Sequence, residues 1–130
     1  VSFVSSLRER YTLYCETSDG HHDKNLRTHY YKSSKKQAIS DVQQIIQQNN
    51  NLTFVSISEE HGELCASFQS PIKGFVVISI IPVTPLEVAV DLTVSTDQKR
   101  LTGSNPILKE MAIELYKQFN QRMNLNTQAG

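Results

Sequence analysis

Several groupings of side chains in this 130-residue chain could in principle do chemistry. Cys15, Asp19, His21, His22, Asp23 and His29 offer sulfur, imidazole and carboxylate donors close together in sequence, the mixture a zinc-like divalent ion takes. Their spacing is not that of a structural zinc motif. A site on Cys15, His22 and His29 also lacks a fourth ligand, so a solvated polar loop is the favoured reading and no metal or other cofactor is expected. Glu87 and Asp91 invite an acid/base pair. Four residues along a strand, however, put their α-carbons roughly 13 Å apart, too far for paired catalytic carboxylates, and both read as surface charges. Glu59, Glu60, His61 and Glu63 lie closer together, but at a hairpin tip open to water, where neither pKa tuning nor exclusion of solvent comes easily.

No G-x-S-x-G presents a nucleophile, and the five glycines are scattered singly, which leaves no phosphate-cradling loop. Catalysis is therefore not expected. One cluster remains. Arg27, His29, Tyr30, Tyr31, Lys32, Lys35 and Lys36 interleave cations with rings, as nucleic-acid-binding surfaces do. Lysines at a helix N-terminus oppose its dipole unless an anion is bound, so Arg27, Lys32, Lys35 and Lys36 form a candidate anion site. The competing reading is a strand with packed tyrosines and solvated lysines. Nucleic-acid binding stays an alternative.

Composition narrows the class. The chain has 13 basic and 13 acidic residues and 38% apolar residues, an ordinary balance with no global pull toward nucleic acid or anionic lipid. Charge is uneven along it: residues 37–98 carry Lys73 as their only base against seven acids, while both flanks are basic. Cys15 and Cys65 are too few for a disulfide framework, and Cys65 reads as a small buried apolar group. No apolar run approaches the roughly 20 residues of a membrane span, so a cytoplasmic domain is expected. The first residue is Val1, which is compatible with a removed signal or anchor.

The elements that must position these groups follow from periodicity. Phe3, Val4, Leu7, Tyr11 and Tyr14 have helical spacing over residues 1–14, and residues 16–25 suit a polar loop with a mobile tip. Residues 26–32 read as an edge strand. Ser34 with Gln37 forms a capping box for a helix whose stripe is Ala38, Ile39, Val42, Ile45 and Ile46, ending at Asn49 to Asn51. Four strands follow at residues 52–58, 63–70, 74–83 and 86–95, the last with Leu86, Val88, Val90, Leu92 and Val94 toward the core and Glu87, Ala89, Asp91, Thr93 and Ser95 toward water. A final helix opens at Ser104 or Asn105, with Pro106 in its first turn and Leu108, Met111, Ala112, Leu115, Phe119 and Met123 on its apolar side. The expected fold is α+β: an antiparallel meander of four to five strands, amphipathic helices on one face and a long C-terminal helix. Residues 1–25 form an N-terminal helix and loop, 26–124 one domain, and 125–130 a flexible tail.

The run Leu26-Arg27-Thr28-His29-Tyr30-Tyr31, the helix start at Ser33 to Ala38 and the hairpin Glu60-His61-Gly62-Glu63-Leu64 resemble small bacterial α+β domains of unknown function. Those domains carry an L-R-T-x-x-Y strand before a capped helix, a meander and a closing helix. The resemblance spans roughly residues 23–120 and implies the fold, with no activity to carry over. The element order is also similar to a reduced helix-grip fold, where a sheet wraps a C-terminal helix around a ligand cavity. The residues lining such a cavity would be Val88, Val90, Leu92, Met111, Leu115 and Phe119, which serve equally well as core. A non-catalytic binding domain for an apolar small molecule or a protein partner is thus the leading expectation. Monomer and homodimer are both open, since the strand at 26–32 could pair with its own copy.

Overall fold

A computed structural model of the chain describes residues 2–11, 13–97 and 105–126. Helix α1 is Phe3–Arg10, strand β1 Leu13–Glu16, and a 3-10 turn at Lys24–Leu26 precedes β2, His29–Tyr31. Helix α2 is Lys35–Gln48, followed by β3 Leu52–Ser58, β4 Glu63–Phe68, β5 Gly74–Thr84, β6 Glu87–Thr96 and helix α3 Asn105–Arg122. The expected four-strand meander is present, and each boundary of β3 to β6 moves by at most two residues. The start considered at Ser104 lies outside the described residues.

Local chemistry explains the elements. The Ser34 hydroxyl caps α2 by accepting the Gln37 N–H, and Gln37 turns its amide to Asp41 instead of reaching back, so half of the capping box forms. Gly62 closes the β3–β4 hairpin at φ 67, and its carbonyl accepts the Ile80 N–H. The antiparallel sheet runs β1-β6-β5-β4-β3.

Its first edge is unusual. β1 and β2 both pair with β6, Leu13–Glu16 against the far half and His29–Tyr31 against the near half, so one edge position is filled by two short strands. Residues 17–28 leave the sheet between them. The region read as an edge strand over 26–32 shortens accordingly, because Leu26 sits buried in the 3-10 turn. β2 is not an outer edge either: Lys32 N–H donates to Asn124 O, Asn126 N–H donates to Tyr30 O, and Leu125 bridges Tyr31. Self-pairing through that strand is therefore blocked. Residues 125 and 126, expected in a flexible tail, are tied to the sheet, and 127–130 lie outside the described residues.

Helices α2 and α3 cover one face. Ala38, Val42, Ile45 and Ile46 meet Leu108, Ala112, Leu115, Tyr116 and Phe119 over Leu64, Ala66, Phe68, Val76, Ile78, Ile80, Val88, Val90, Leu92 and Val94. The reverse face is not bare, as Leu7 of α1 packs on Cys65 and Val77, flanked by Phe3, Val4, Tyr11 and Phe75. Thr93 and Ser95, register partners of Val77 and Phe75, are buried there. The N-terminal segment is thus part of the domain, and the second face of β6 does not simply meet water.

Candidate functional site

Two places hold more than packing. One is a cavity between α3 and the sheet. Its floor is Val76 and Val94, register partners on β5 and β6, with Leu52 beside them and Met111 and Leu115 as the wall. Asn49, Asn51, Glu114 and Gln118 make its rim, and the cavity measures about 230 Å³. The asparagine run that stops α2 supplies this rim. Asn49 Nδ2 donates to Gln118 Oε1 at 3.1 Å, the Asn51 N–H donates to Asn49 Oδ1 at 2.8 Å, and Asn51 Nδ2 donates to Ser70 O at 2.6 Å.

Of the six residues expected to line a cavity, Met111 and Leu115 do so. Val88, Val90, Leu92 and Phe119 are fully buried in the continuous core and do not line it. A second hollow adjoins the first, sharing Met111 and Glu114 and bounded also by Pro71, Pro106, Ile107 and Glu110.

The other place is a polar knot where the edge strand splits. Asp91 projects opposite the gap, and its Oδ1 accepts from the Thr17 hydroxyl at 2.8 Å and the Thr28 hydroxyl at 2.6 Å. One carboxylate oxygen thus ties both ends of the excursion. Thr17 N–H donates to Leu92 O at 3.0 Å, and Leu92 N–H returns a bond to Thr17 Oγ1 at 2.9 Å. From α3 the Tyr116 hydroxyl enters the gap, 2.7 Å from Val90 O and 2.9 Å from Thr17 Oγ1. Asp91 is therefore not the solvated surface charge its strand position suggested.

His29 stacks on Tyr116, with ring centroids 3.6 Å apart. Its Nδ1 lies 3.0 Å from Tyr31 Oη and 3.1 Å from Asn120 Oδ1, and Tyr31 donates to Asn120 at 2.7 Å. With that proton committed, the network is satisfied by a proton on His29 Nδ1. Burial raises the Asp91 carboxyl above its ordinary range against the pull of the two threonine hydroxyls. Burial also lowers His29, against its bond to Asn120 and the Asp91 charge, and raises Tyr31 and Tyr116. None of the hollows described here is lined by these groups. Their contacts are with one another, and the knot is a clamp on the fold.

The remaining candidates disperse. His21 stacks on His22 at 4.6 Å and its Nδ1 accepts the Asp23 N–H, while His29 turns toward Asn120 and Asp23 pairs with Lys109. Among the described residues no three His, Cys, Asp or Glu side chains converge on a metal position. In the basic cluster, Arg27 Nε donates to His21 O at 3.0 Å, and the stem of Lys35 lies over Gly62. Tyr31 is buried and Tyr30 donates to Asp19, whose carboxylate pushes that phenol up to about 12. Lys32 and Lys36 are exposed, and Lys35 and Lys36 border a hollow shared with Ile39, Ser40, Gln43 and Glu59. The arrangement joins the lysines near the start of α2 and leaves Arg27 in the excursion. Comparison of this chain with protein-family models, curated proteins and solved structures gives no match in any of the three.

Proposed function

We propose that this is a non-catalytic binding domain that holds a small, largely apolar molecule between α3 and the sheet. The observation that carries this reading is the cavity of about 230 Å³ with an apolar floor and a polar rim. At ~30 Å³ of liquid volume per water it has room for about eight waters, the scale of a short-chain or single-ring ligand. Adaptable Met111 on its wall suits it to ligands of varied shape.

Native mass spectrometry of protein purified without denaturation, set against the denatured mass, tests this. A small organic adduct that disappears in Leu115→Trp, with the far-UV spectrum unchanged, is the expected result. A bare mass together with no thermal shift across a panel of short apolar compounds would overturn it.

A protein-interaction reading has its own observation. The β5–β6 hairpin projects past β4 and exposes Ile81, Val83 and Leu86 by 53%, 51% and 75%. Pro82 and Pro85 there disfavour strand addition and leave side-chain docking. Under this reading, a partner captured by the wild type is lost on replacing Leu86 and Val83 with Ser.

A further inference from the structure

Resting on the cavity reading above, we infer that the ligand carries a neutral, hydroxyl-rich head, as an alkyl glycoside does, and that this head lies in a carboxamide-lined hollow between the C-terminal ends of α2 and α3. Asn49 and Gln118 of the cavity rim are also walls of this hollow, which is completed by Ile45, Gln48, Asn50, Gln121 and Arg122 and measures about 510 Å³. The same spacing recurs on its two sides: 45, 48 and 49 along α2 and its cap, and 118, 121 and 122 along α3, so each helix turns one stripe into it. At ~30 Å³ of liquid volume per water there is room for about 17 waters, ample for one sugar ring.

The chemistry of the lining selects the head. Gln48, Asn50 and Gln121 make no side-chain hydrogen bond among the described residues. Asn49 Oδ1 is taken by the Asn51 N–H and Gln118 Oε1 by Asn49 Nδ2, which leaves the Gln118 amide hydrogens to point elsewhere. A free carboxamide presents an acceptor and two donors side by side, and a hydroxyl is likewise both, so the two pair in either sense. Arg122 spends its guanidinium on Asp41 and Gln44, and its charge is met within the protein. Uncharged amides have nothing with which to hold an ionic head, and a bare alkyl chain leaves them to water. The bonded Asn49–Gln118 pair is the lip between the two spaces, with Val76, Val94, Met111 and Leu115 on one side and the amides on the other. A molecule that spans this lip must be apolar at one end and rich in hydrogen-bonding groups at the other.

The test is an NMR titration of the full chain with n-hexyl β-D-glucoside, 1-hexanol and n-hexyl sulfate, following the methyls of Met111, Leu115 and Val94 and the side-chain amides of Gln48, Asn50 and Gln121. The glucoside should shift both sets of signals saturably and bind at least about fivefold tighter than 1-hexanol, which should shift the methyls alone. The sulfate should bind no tighter than the alcohol. Gln48→Ala with Gln121→Ala, both at exposed positions, should bring the glucoside down to the affinity of the alcohol and leave the alcohol's own affinity unchanged. Glucoside shifts confined to the methyls, binding no tighter than the alcohol or the sulfate, or a gain that survives the double substitution would each overturn the hydroxyl-rich head while leaving the cavity reading in place. Amide shifts without methyl shifts would overturn the cavity reading and the spanning mode together. Shifts in none of the three titrations would overturn both.

Discussion

At the scale of single residues, Asp91 carries the most structural consequence. Removing its carboxylate leaves two hydroxyl donors at the ends of the excursion without their acceptor. Asp91→Ala should cost about 2 kcal/mol in urea unfolding, and Thr28→Val about 1 kcal/mol. A loss below about 0.5 kcal/mol for Asp91→Ala would show that the clamp does not hold the segment. His29 gives a pH signature. Its folded value lies below the ordinary 6.5, so the fold prefers the neutral ring. The stability it contributes is complete above 6.5 and is lost as pH falls through the lowered folded value. Wild type should therefore lose stability on acidification through this window relative to His29→Gln. Parallel curves for the two proteins would contradict it. Little of this was legible in sequence: Asp91 occupies a polar position in an alternating strand, and nothing local tells that Thr17 and Thr28 will converge on it. The apolar cavity was half legible. Helical spacing put Met111 and Leu115 on the right face, but alternation along β6 cannot separate residues that fill a core from residues that line a gap.

At the scale of elements, local rules worked wherever an element is specified by its own residues. The four strands from β3 to β6 alternate or run apolar between polar turns, and the hydroxyl at Ser34 sets the start of α2. Ser34→Ala should cost about 1 kcal/mol in thermal unfolding. Gly62→Ala should cost more, about 2 kcal/mol or above. The residue has φ 67, and an added Cβ would lie 2.2 Å from Ile80 O, so backbone must shift as well as adopt a left-handed turn. Near-wild-type stability of Gly62→Ala in urea would mean that the hairpin has an alternative closure. β1 escaped the same reasoning because it is too short to show a period, and β2, anticipated within 26–32, came out shorter; both are defined by β6 and not by themselves.

At the scale of the whole molecule, α1 turns a two-layer domain into one covered on both sides of its central strands. Its apolar contact is small: Leu7 is the one fully enclosed side chain α1 contributes. Cys65 beneath it is buried, and burial pushes its thiol up to about 11, so it should resist a thiol reagent in the native protein. Leu7→Asp should undock α1 and make Cys65 react at least about tenfold faster, with β-sheet content retained. Equal rates would place the protection of Cys65 elsewhere. The two basic flanks noted in the sequence also find their place here, since both pack against the strands of the acidic middle segment: one through β1 and β2 on β6, the other through α3 on the sheet face.

The doubly filled edge has one more consequence, which concerns the order in which the chain can assemble. β1 and β2 are made well before β6, yet the strand each pairs with is β6, and β2 is closed on its other side by residues 124–126. The α2–β3–β4 stretch can begin to organise from near neighbours, whereas β1 and β2 have no template until β6 has emerged. Such distant pairings slow folding and leave apolar surface uncovered in the interval. The segment carrying β1 and β2 is thus the part of this domain that waits longest for its partner, and β6 must be made before either strand can pair.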